Sequence, residues 1–427
     1  SYRGPIREKG IPNVFNVFDL DNTKKKARQD EWQEQTQSIF ASVEVGWKSM
    51  LYLTLTGRND WASQLANSST PCFFYPSVGL SGVISEMLTL PEFIDYMKVR
   101  GSFSSVGMPY PRNLTSPTYE YDEANQQWKP KTHYPIKDLK PERTNSWELG
   151  LDMRLFKDFS LGFSWYLANT FNQTFDPKVS VSSGYSKIYL QTGYVRNSGV
   201  ELSLGYGHTW NNHLHWESNF TLSHNKNTIK DLVTSYIHPE TGLPITQNRL
   251  DVGGLGKARF ILKKGGTLGD LYTQSDLKRD NSGMVEIDPS GALTTEDNLP
   301  DIKLGSVFPK ANLAWNNRFE WRGISLSALF TARIGGIAYS ATQAAMDQYG
   351  VSERSAQARD NGGVLLNGRT LVDAQTYYSL IGNSSGLPQY YTYSATNVRL
   401  QEASVGYTIP RKWLGGVCAV SYTHLRA

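Results

Sequence analysis

The chain has 427 residues, among them 37 Gly and 24 Tyr, with 12% aromatic and 19% charged residues and a formal charge of +4. Mean hydropathy is −0.44, and no apolar run of about 18 residues occurs, which excludes a transmembrane helix. A transmembrane strand barrel stays open, because only alternate strand residues face lipid and mean hydropathy then remains low.

The glycine and tyrosine content favours β structure over helix bundles. Lys24, Lys25, Lys26 and Arg28 are answered by Asp30, Glu31 and Glu34. The cluster therefore reads as a solvated loop, and nucleic acid is not an expected partner. Cys72 and Cys418 are too few for a disulfide framework. Residues 1–20 carry no basic segment leading into an apolar one, so no signal peptide is read there.

Strict alternation begins at Ile39, Ala41, Val43, Val45 and Trp47, opposed by Phe40, Ser42, Glu44 and Gly46. The stretch LYLTLTGRNDW at 51–61 repeats it, with Leu51, Leu53 and Leu55 against Tyr52, Thr54 and Thr56. Trp147 to Leu155 sets apolar residues against Glu148, Asp152 and Arg154, and Leu161 to Leu167 continues the pattern. Val200, Leu202, Leu204 and Tyr206 face away from Glu201 and Ser203. Leu214, Trp216, Phe220 and Leu222 oppose Glu217, Asn219 and Thr221, and Ile324 to Phe330 alternates with serines. About eleven such strands are predicted, each about ten to fourteen residues long. Strands in soluble sandwiches average about five or six residues, whereas a tilted membrane strand needs about nine to eleven.

Tight connections at Lys48-Ser49, Lys157-Asp158, Asn211-Asn212 and Arg322-Gly323 alternate with long ones near 106–142, 227–310 and 334–395. In an up-and-down antiparallel sheet, successive turns fall at opposite ends. One end is then trim and the other elaborate, as in outer-membrane barrels. Trp47, Trp210, Trp321 and Trp413 stand beside short turns, where a membrane interface suits the half-buried indole; aromatics also close hairpins for packing alone. Glu44, Glu148, Asp152, Arg154, Glu201 and Glu217 fall on the polar faces and are expected to line a wet lumen. The same alternation suits a soluble sheet. Strand length, loop asymmetry and Trp placement together select lipid. The expected fold is all-β: part of a large antiparallel transmembrane barrel with short periplasmic turns and long extracellular loops.

Several ordered blocks then resemble one family. They are GRNDWAS at 57–63, YPSVGLSGVISEM at 75–87, IDYMKVRGSFSSVG at 94–107 and LKPERTNSWELGLDMRLF at 139–156. LGFSWYLANTFNQTFDP at 161–177, VSSGYSKIYLQTGYVRNSGVELSLGY at 181–206 and NVRLQEASVGYTIPRKWL at 397–414 follow in the same order. The resemblance is to the SusC/RagA family of TonB-dependent outer-membrane transporters. It implies a plugged barrel, import of glycan or peptide oligomers driven by the TonB–ExbB–ExbD complex, and a SusD-like surface lipoprotein as partner. A signal, a TonB box and a plug are expected to lie upstream of residue 1. On this reading residues 1–37 lead in from an upstream strand and 38–414 form the barrel region. Residues 415–427, which contain CAVSYTHLRA, depart from the family and read as a truncated, non-native tail.

Signatures of hydrolases, nucleotide binders and metalloproteases are missing, and no enzyme activity or cofactor is expected. His213 and His215 share a face without a third ligand and read as lumen residues. Glu286, Asp288, Ser290, Gly291 and Asp297 fall near Ca²⁺-loop spacing, but Pro289 intrudes, and an acidic outer loop is the plainer reading. Tyr119, Tyr121 and Trp128, with Tyr390, Tyr391 and Tyr393, are candidate rings for stacking on sugars; loop self-packing is the alternative. Two other functions stay in play: an unplugged porin or adhesin barrel, and a secreted soluble glycan-binding protein.

Overall fold

The computed structural model describes residues 33–66, 68–111, 140–175, 190–210, 214–237, 244–383 and 386–410, with short pieces at 2–3, 26–27, 114, 119–122, 127–130, 133–134 and 187–188. The long strands come first: β1 (Thr36–Trp47), β2 (Leu51–Ala62), β3 (Cys72–Val83) and β4 (Ile94–Met108). They continue with β5 (Glu142–Leu155), β6 (Phe159–Phe175), β7 (Leu190–Trp210) and β8 (Leu214–Asp231). Short strands β9 (Arg249–Leu255), β10 (Ala258–Lys263), β11 (Asp270–Thr273) and β12 (Ile302–Ser306) precede β13 (Ala311–Trp321) and β14 (Ile324–Ile334). After β15 (Ile337–Tyr339) lie helices α1 (Ala341–Gln348), α2 (Glu353–Asp360) and α3 (Ala374–Gly382), then β16 (Thr392–Ser394) and β17 (Asn397–Tyr407).

Eleven of these strands form one sheet in the order β1-β2-β3-β4-β5-β6-β7-β8-β13-β14-β17. Each pairs antiparallel with its neighbour along the chain, apart from the excursions after β8 and β14. Short turns keep the register at one end. Both central residues are left-handed at Lys48 (φ 49°) and Ser49 (58°), Phe156 (52°) and Lys157 (65°), and Arg322 (48°) and Gly323 (88°). That is the mirror-image geometry whose twist matches right-twisted strands. Residues 211–213 lie outside the described residues.

Directly opposed residues share a face, so the register assembles two continuous surfaces. Trp47 lies opposite Leu51, Val43 opposite Leu55 and Leu55 opposite Val78. Leu151 lies opposite Val99 and Phe163, and Phe163 opposite Leu202. One face therefore exposes an apolar residue from every strand in turn: Val43, Leu55, Val78, Val99, Leu149, Phe163, Leu204, Leu214, Trp315, Leu326 and Val405. A patch running across eleven strands is far beyond what a soluble monomer exposes.

The band has a measurable height. On β6 it runs through Phe159, Leu161, Phe163, Trp165 and Leu167 and stops at Asn169, which lies opposite Asn145 on β5. Eight steps of about 3.4 Å from Phe159 to Leu167, tilted by about 40°, rise about 21 Å, close to the apolar belt of about 25 Å in outer-membrane barrels. The central strands exceed the expected length: β6 has 17 residues, β7 21 and β8 18. Their upper ends continue past the band as polar ribbon, and a bulge between Thr170 and Gln173 marks the change.

The two long excursions are not loose loops. They fold together into a cap over the elaborate end. Strands β9-β10-β11-β12 form a small sheet. Leu277, Val285 and Leu293 from the first excursion pack with Ala344, Val372, Tyr377, Ile381, Leu387 and Tyr391 from the second in one buried core. A second core joins wall and cap through Val195, Ile229, Leu232, Leu250 and Leu262. The expected barrel region 38–414 thus contains both wall and cap. Residues 411–427 lie outside the described residues.

Leu53 and Thr54 are adjacent on β2 and point to opposite faces. Leu53→Arg, two residues inside the short-turn edge of the band, is expected to cost about 1–2 kcal/mol of folding stability in lipid, between the interface and midplane values, and Thr54→Arg clearly less. Urea unfolding in bilayers checks this; equal losses at both sites would overturn the assignment of faces.

Candidate functional site

The inner face of the sheet holds a concavity of about 640 Å³, lined from Arg100 on β4 across to Arg399 and Gln401 on β17. Its organising residue is Arg100. The guanidinium donates from Nη1 to Asp152 Oδ2 (2.6 Å) and from Nη2 to Ser164 Oγ (2.8 Å), with Glu148 Oε1 3.6 Å from Nη2. It lies across β5 between the two carboxylates, directly over Gly150. A Cβ on Gly150 would sit 2.5 Å from Arg100 Nε, so a residue without a side chain is required there. Gly199 does the same for Tyr166, whose hydroxyl lies 2.5 Å from the would-be Cβ.

Glu201 lies opposite Ser164 and Ser223 on this face. Glu217 lies opposite Arg318 and accepts a hydrogen bond from Asn219 Nδ2 (2.8 Å). Arg154 lies opposite Tyr96 and Ser160, and Glu44 opposite Thr54. All six residues read as luminal stand on this inner face. Further along, Arg333 Nη2 donates to Val307 O (2.6 Å), while Arg333 Nε and Thr331 Oγ1 have no protein partner. Arg100, Arg333 and Arg399 were not among the residues singled out from sequence. In IDYMKVRGSFS the alternation of Tyr96, Lys98, Arg100 and Ser102 with Met97, Val99 and Gly101 already carried the first of them.

Trp47 and Trp321 are 57% and 51% exposed at the short-turn end of the outer face, and Trp210 stands at the same end. Lys48 Nζ lies 5.0 Å from the Trp47 ring, and the Arg322 guanidinium 5.5 Å from the Trp321 ring. An aromatic row runs through Phe159–Tyr206 (4.7 Å), Tyr206–Trp216 (5.1 Å) and Trp216–Phe319 (5.6 Å). Trp413 lies outside the described residues. At the other end of β2, Arg58 Nε donates to Asp60 Oδ1 (2.7 Å), and the Tyr75 hydroxyl also bonds Asp60.

The aromatic candidates divide. Tyr119 and Tyr121 lie on one arm of a small hairpin, with Tyr121 opposite Trp128; their side chains lie outside the described residues. Tyr391 is 0% exposed. It cannot stack on a ligand, because its ring belongs to the cap core. The Arg354 guanidinium lies 4.9 Å from that ring and pairs with the buried Asp347, which also accepts from Gln343 Nε2 (2.9 Å). Burial opposes the Asp347 anion, but the bonds from Arg354 and Ser352 outweigh it and hold its pKa below the usual range. Tyr390 is half-buried with its ring 6.4 Å from Tyr377. Tyr393 is 44% exposed on β16, opposite Ala338. Sequence gave no means of separating these three neighbours, since loop burial follows no period.

The Ca²⁺-loop candidates diverge. Glu286 pairs with Lys278 (2.9 Å) and Asp297 with Lys257 (2.7 Å), while Asp288 accepts from the backbone N–H of Ser290 and Ala292 inside its own turn. Among the described residues no group of three or more His, Cys, Asp or Glu is placed to hold a metal. His215 Nδ1 lies 2.9 Å from Thr209 Oγ1; His213 lies outside the described residues.

An exposed apolar band of membrane height, an aromatic row at the short-turn end and a charged concave face define the wall of an outer-membrane β-barrel. Residues 2–398 match the model of the TonB dependent receptor-like β-barrel family. The chain belongs to that family, and the SusC/RagA resemblance agrees with it. It is similar to TonB-dependent receptor P3 of Formosa agariphila, 22% identical over 95% of this chain and 42% of that protein. TonB-dependent receptor P26 of the same organism is 23% identical over 76% of this chain and 34% of its own length. Among solved structures, the RagAB peptide transporter superposes with a TM-score of 0.67 at 18% identity, covering 95% of this chain and 44% of that one. The chain therefore spans less than half the length of these relatives.

The cap carries its own pH sensitivity. Arg249 grips Asp301 with Nε (2.7 Å) and Nη2 (2.9 Å), and Lys263 Nζ adds a contact at 2.9 Å. The Arg249 bonds first, then those of Lys263 against the cost of burial, lower the Asp301 pKa to about 2. The unfolded value is about 3.9, so the stabilisation is complete above about pH 4 and is lost as pH falls towards 2. Protection of the amides of 249–306 against exchange, relative to their intrinsic rates, should fall over that window. Asp301→Asn should exchange faster at neutral pH and flatten the dependence; an unaltered profile in the variant refutes the assignment.

Proposed function

We propose that this segment supplies wall and outer cap to a TonB-dependent importer of oligomeric nutrients, glycans or peptides, working with a SusD-like surface lipoprotein. The observation that carries the reading is the division of one sheet into a lipid-facing band and a charged inner wall, with a folded cap at the long-connection end. Family membership supports energised import, and the fold shared with a protein described as a peptide transporter keeps peptides in view beside glycans. On this reading the Arg100–Glu148–Asp152 group and the cations Arg333 and Arg399 face the luminal content. The membrane-facing band argues against a soluble secreted binder.

The test is uptake by cells producing the full-length transporter, offered labelled peptide and oligosaccharide mixtures with and without TonB. Uptake should require TonB, and replacing Arg333 and Arg399 together with Ala should reduce it several-fold without loss of surface protein. Uptake that persists without TonB would instead identify an open pore.

A further inference from the structure

The outer face changes character abruptly at the top of the apolar band. Leu167 on β6 gives way to Asn169, Trp147 on β5 to Asn145, and Val200 on β7 to Ser198 and Arg196. These polar residues form one row. Ser105 donates to Asn145 Oδ1 (2.8 Å), and Arg196 Nε and the Tyr194 hydroxyl both donate to Asn169 Oδ1 (2.9 and 3.0 Å). Arg196 Nη2 bonds the Tyr194 hydroxyl (2.6 Å), and the Tyr194 ring stacks on Phe171 at 4.8 Å. The guanidinium is thus fixed in orientation, and among the described residues only its Nε and Nη2 donate.

Cations gather around that row. Lys226 lies opposite Ser198, one diagonal step from Arg196, and its side chain is exposed. His224 and Lys230 stand on the same face of β8, and the exposed Arg143 lies opposite Phe171. The acidic residue nearest the row, Asp231 opposite Tyr194, is held by Lys264 (2.8 Å). From β5 to β8 the row spans three strand spacings, about 14 Å.

We propose that this row is a binding site for the phosphorylated head group of an outer-leaflet glycolipid. Its height decides the occupant: it begins where the apolar belt ends, on the surface that faces lipid. Arg196 and Lys226 supply charge for phosphate, with Arg143 at the far end. Asn145 and Asn169 supply amide groups for sugar hydroxyls, and the Tyr194–Phe171 stack supplies an apolar platform. Among the described residues, the acidic group beside this row, Asp231, is already paired with Lys264, so a second copy docking here would meet mainly cations.

The experiment uses the full-length protein in detergent, titrated with bisphosphorylated lipid A and with its dephosphorylated counterpart, read by native mass spectrometry. The phosphorylated lipid should bind about tenfold more tightly, and Arg196→Ala with Lys226→Ala should remove that preference. Lys226→Gln alone, at an exposed side chain, should weaken binding while leaving heat-resistant folding intact; Lys278→Ala in the cap should change nothing. Equal binding of the two lipids, no change in Lys226→Gln, or dimers that dissociate in that variant would overturn the proposal. Uptake assays stay separate, because none of these residues faces the lumen.

Discussion

A peptide group inside hydrocarbon has no water to bond. Every N–H and C=O on a membrane-crossing strand must therefore find its partner on the next strand, and this one constraint orders the molecule. It explains why the eleven strands form a meander in chain order, each beside its predecessor. It explains the left-handed pairs at Lys48-Ser49 and Arg322-Gly323, which return the chain with no unpaired backbone to spare. Once pairing is fixed, alternation does the rest: a slip of one residue would turn Leu53 inward and Thr54 into lipid.

The same pairing sets the chemistry of the inner face. A charged residue on a barrel wall faces either water or its neighbours across the strands. Arg100 takes the second course, binding Asp152 and Ser164 on the two strands beyond its own. Gly150 is the opening that lets it pass. A wall arginine held this way is a fixed charge rather than a mobile one. The arrangement keeps the same charges at the same places on the inner face.

Much of this was legible in sequence because period two is a local property. Glu148, Asp152 and Arg154 alternate with Leu149, Leu151 and Met153, so their common face follows from the strand alone. What was not legible depends on distance along the chain. Arg100 meets Asp152 across 52 positions, and nothing near Arg100 names its partner. The overhang of β6, β7 and β8 was hidden because beyond the band both faces become polar and alternation fades. The cap was hidden most completely. Its core joins Leu277 and Val285 to Tyr377 and Tyr391, and segments rich in Gly, Asn and Pro give no periodic hint of it. Tyr391 falls to the self-packing alternative for that reason: in a Tyr-Tyr-Thr-Tyr run, only the fold says which ring is inside.

The shared core also determines how the cap can behave. The first excursion leaves the wall after β8 and returns at β13; the second leaves after β14 and returns at β17. Were they separate, either could open without the other. Instead Asn367 of the second exchanges two hydrogen bonds with the backbone of Val285 in the first, and Gln389 Nε2 donates to Ser275 O and Asp276 Oδ1. Opening one excursion alone would expose Leu277, Leu293 and Tyr391 to water and leave those polar groups unpaired. Each buried aliphatic side chain so exposed costs about 1.5–3 kcal/mol, which outweighs any single surface ion pair at about 0–1 kcal/mol. The two connections therefore form one packed body on the wall strands that carry them, rather than two independent loops.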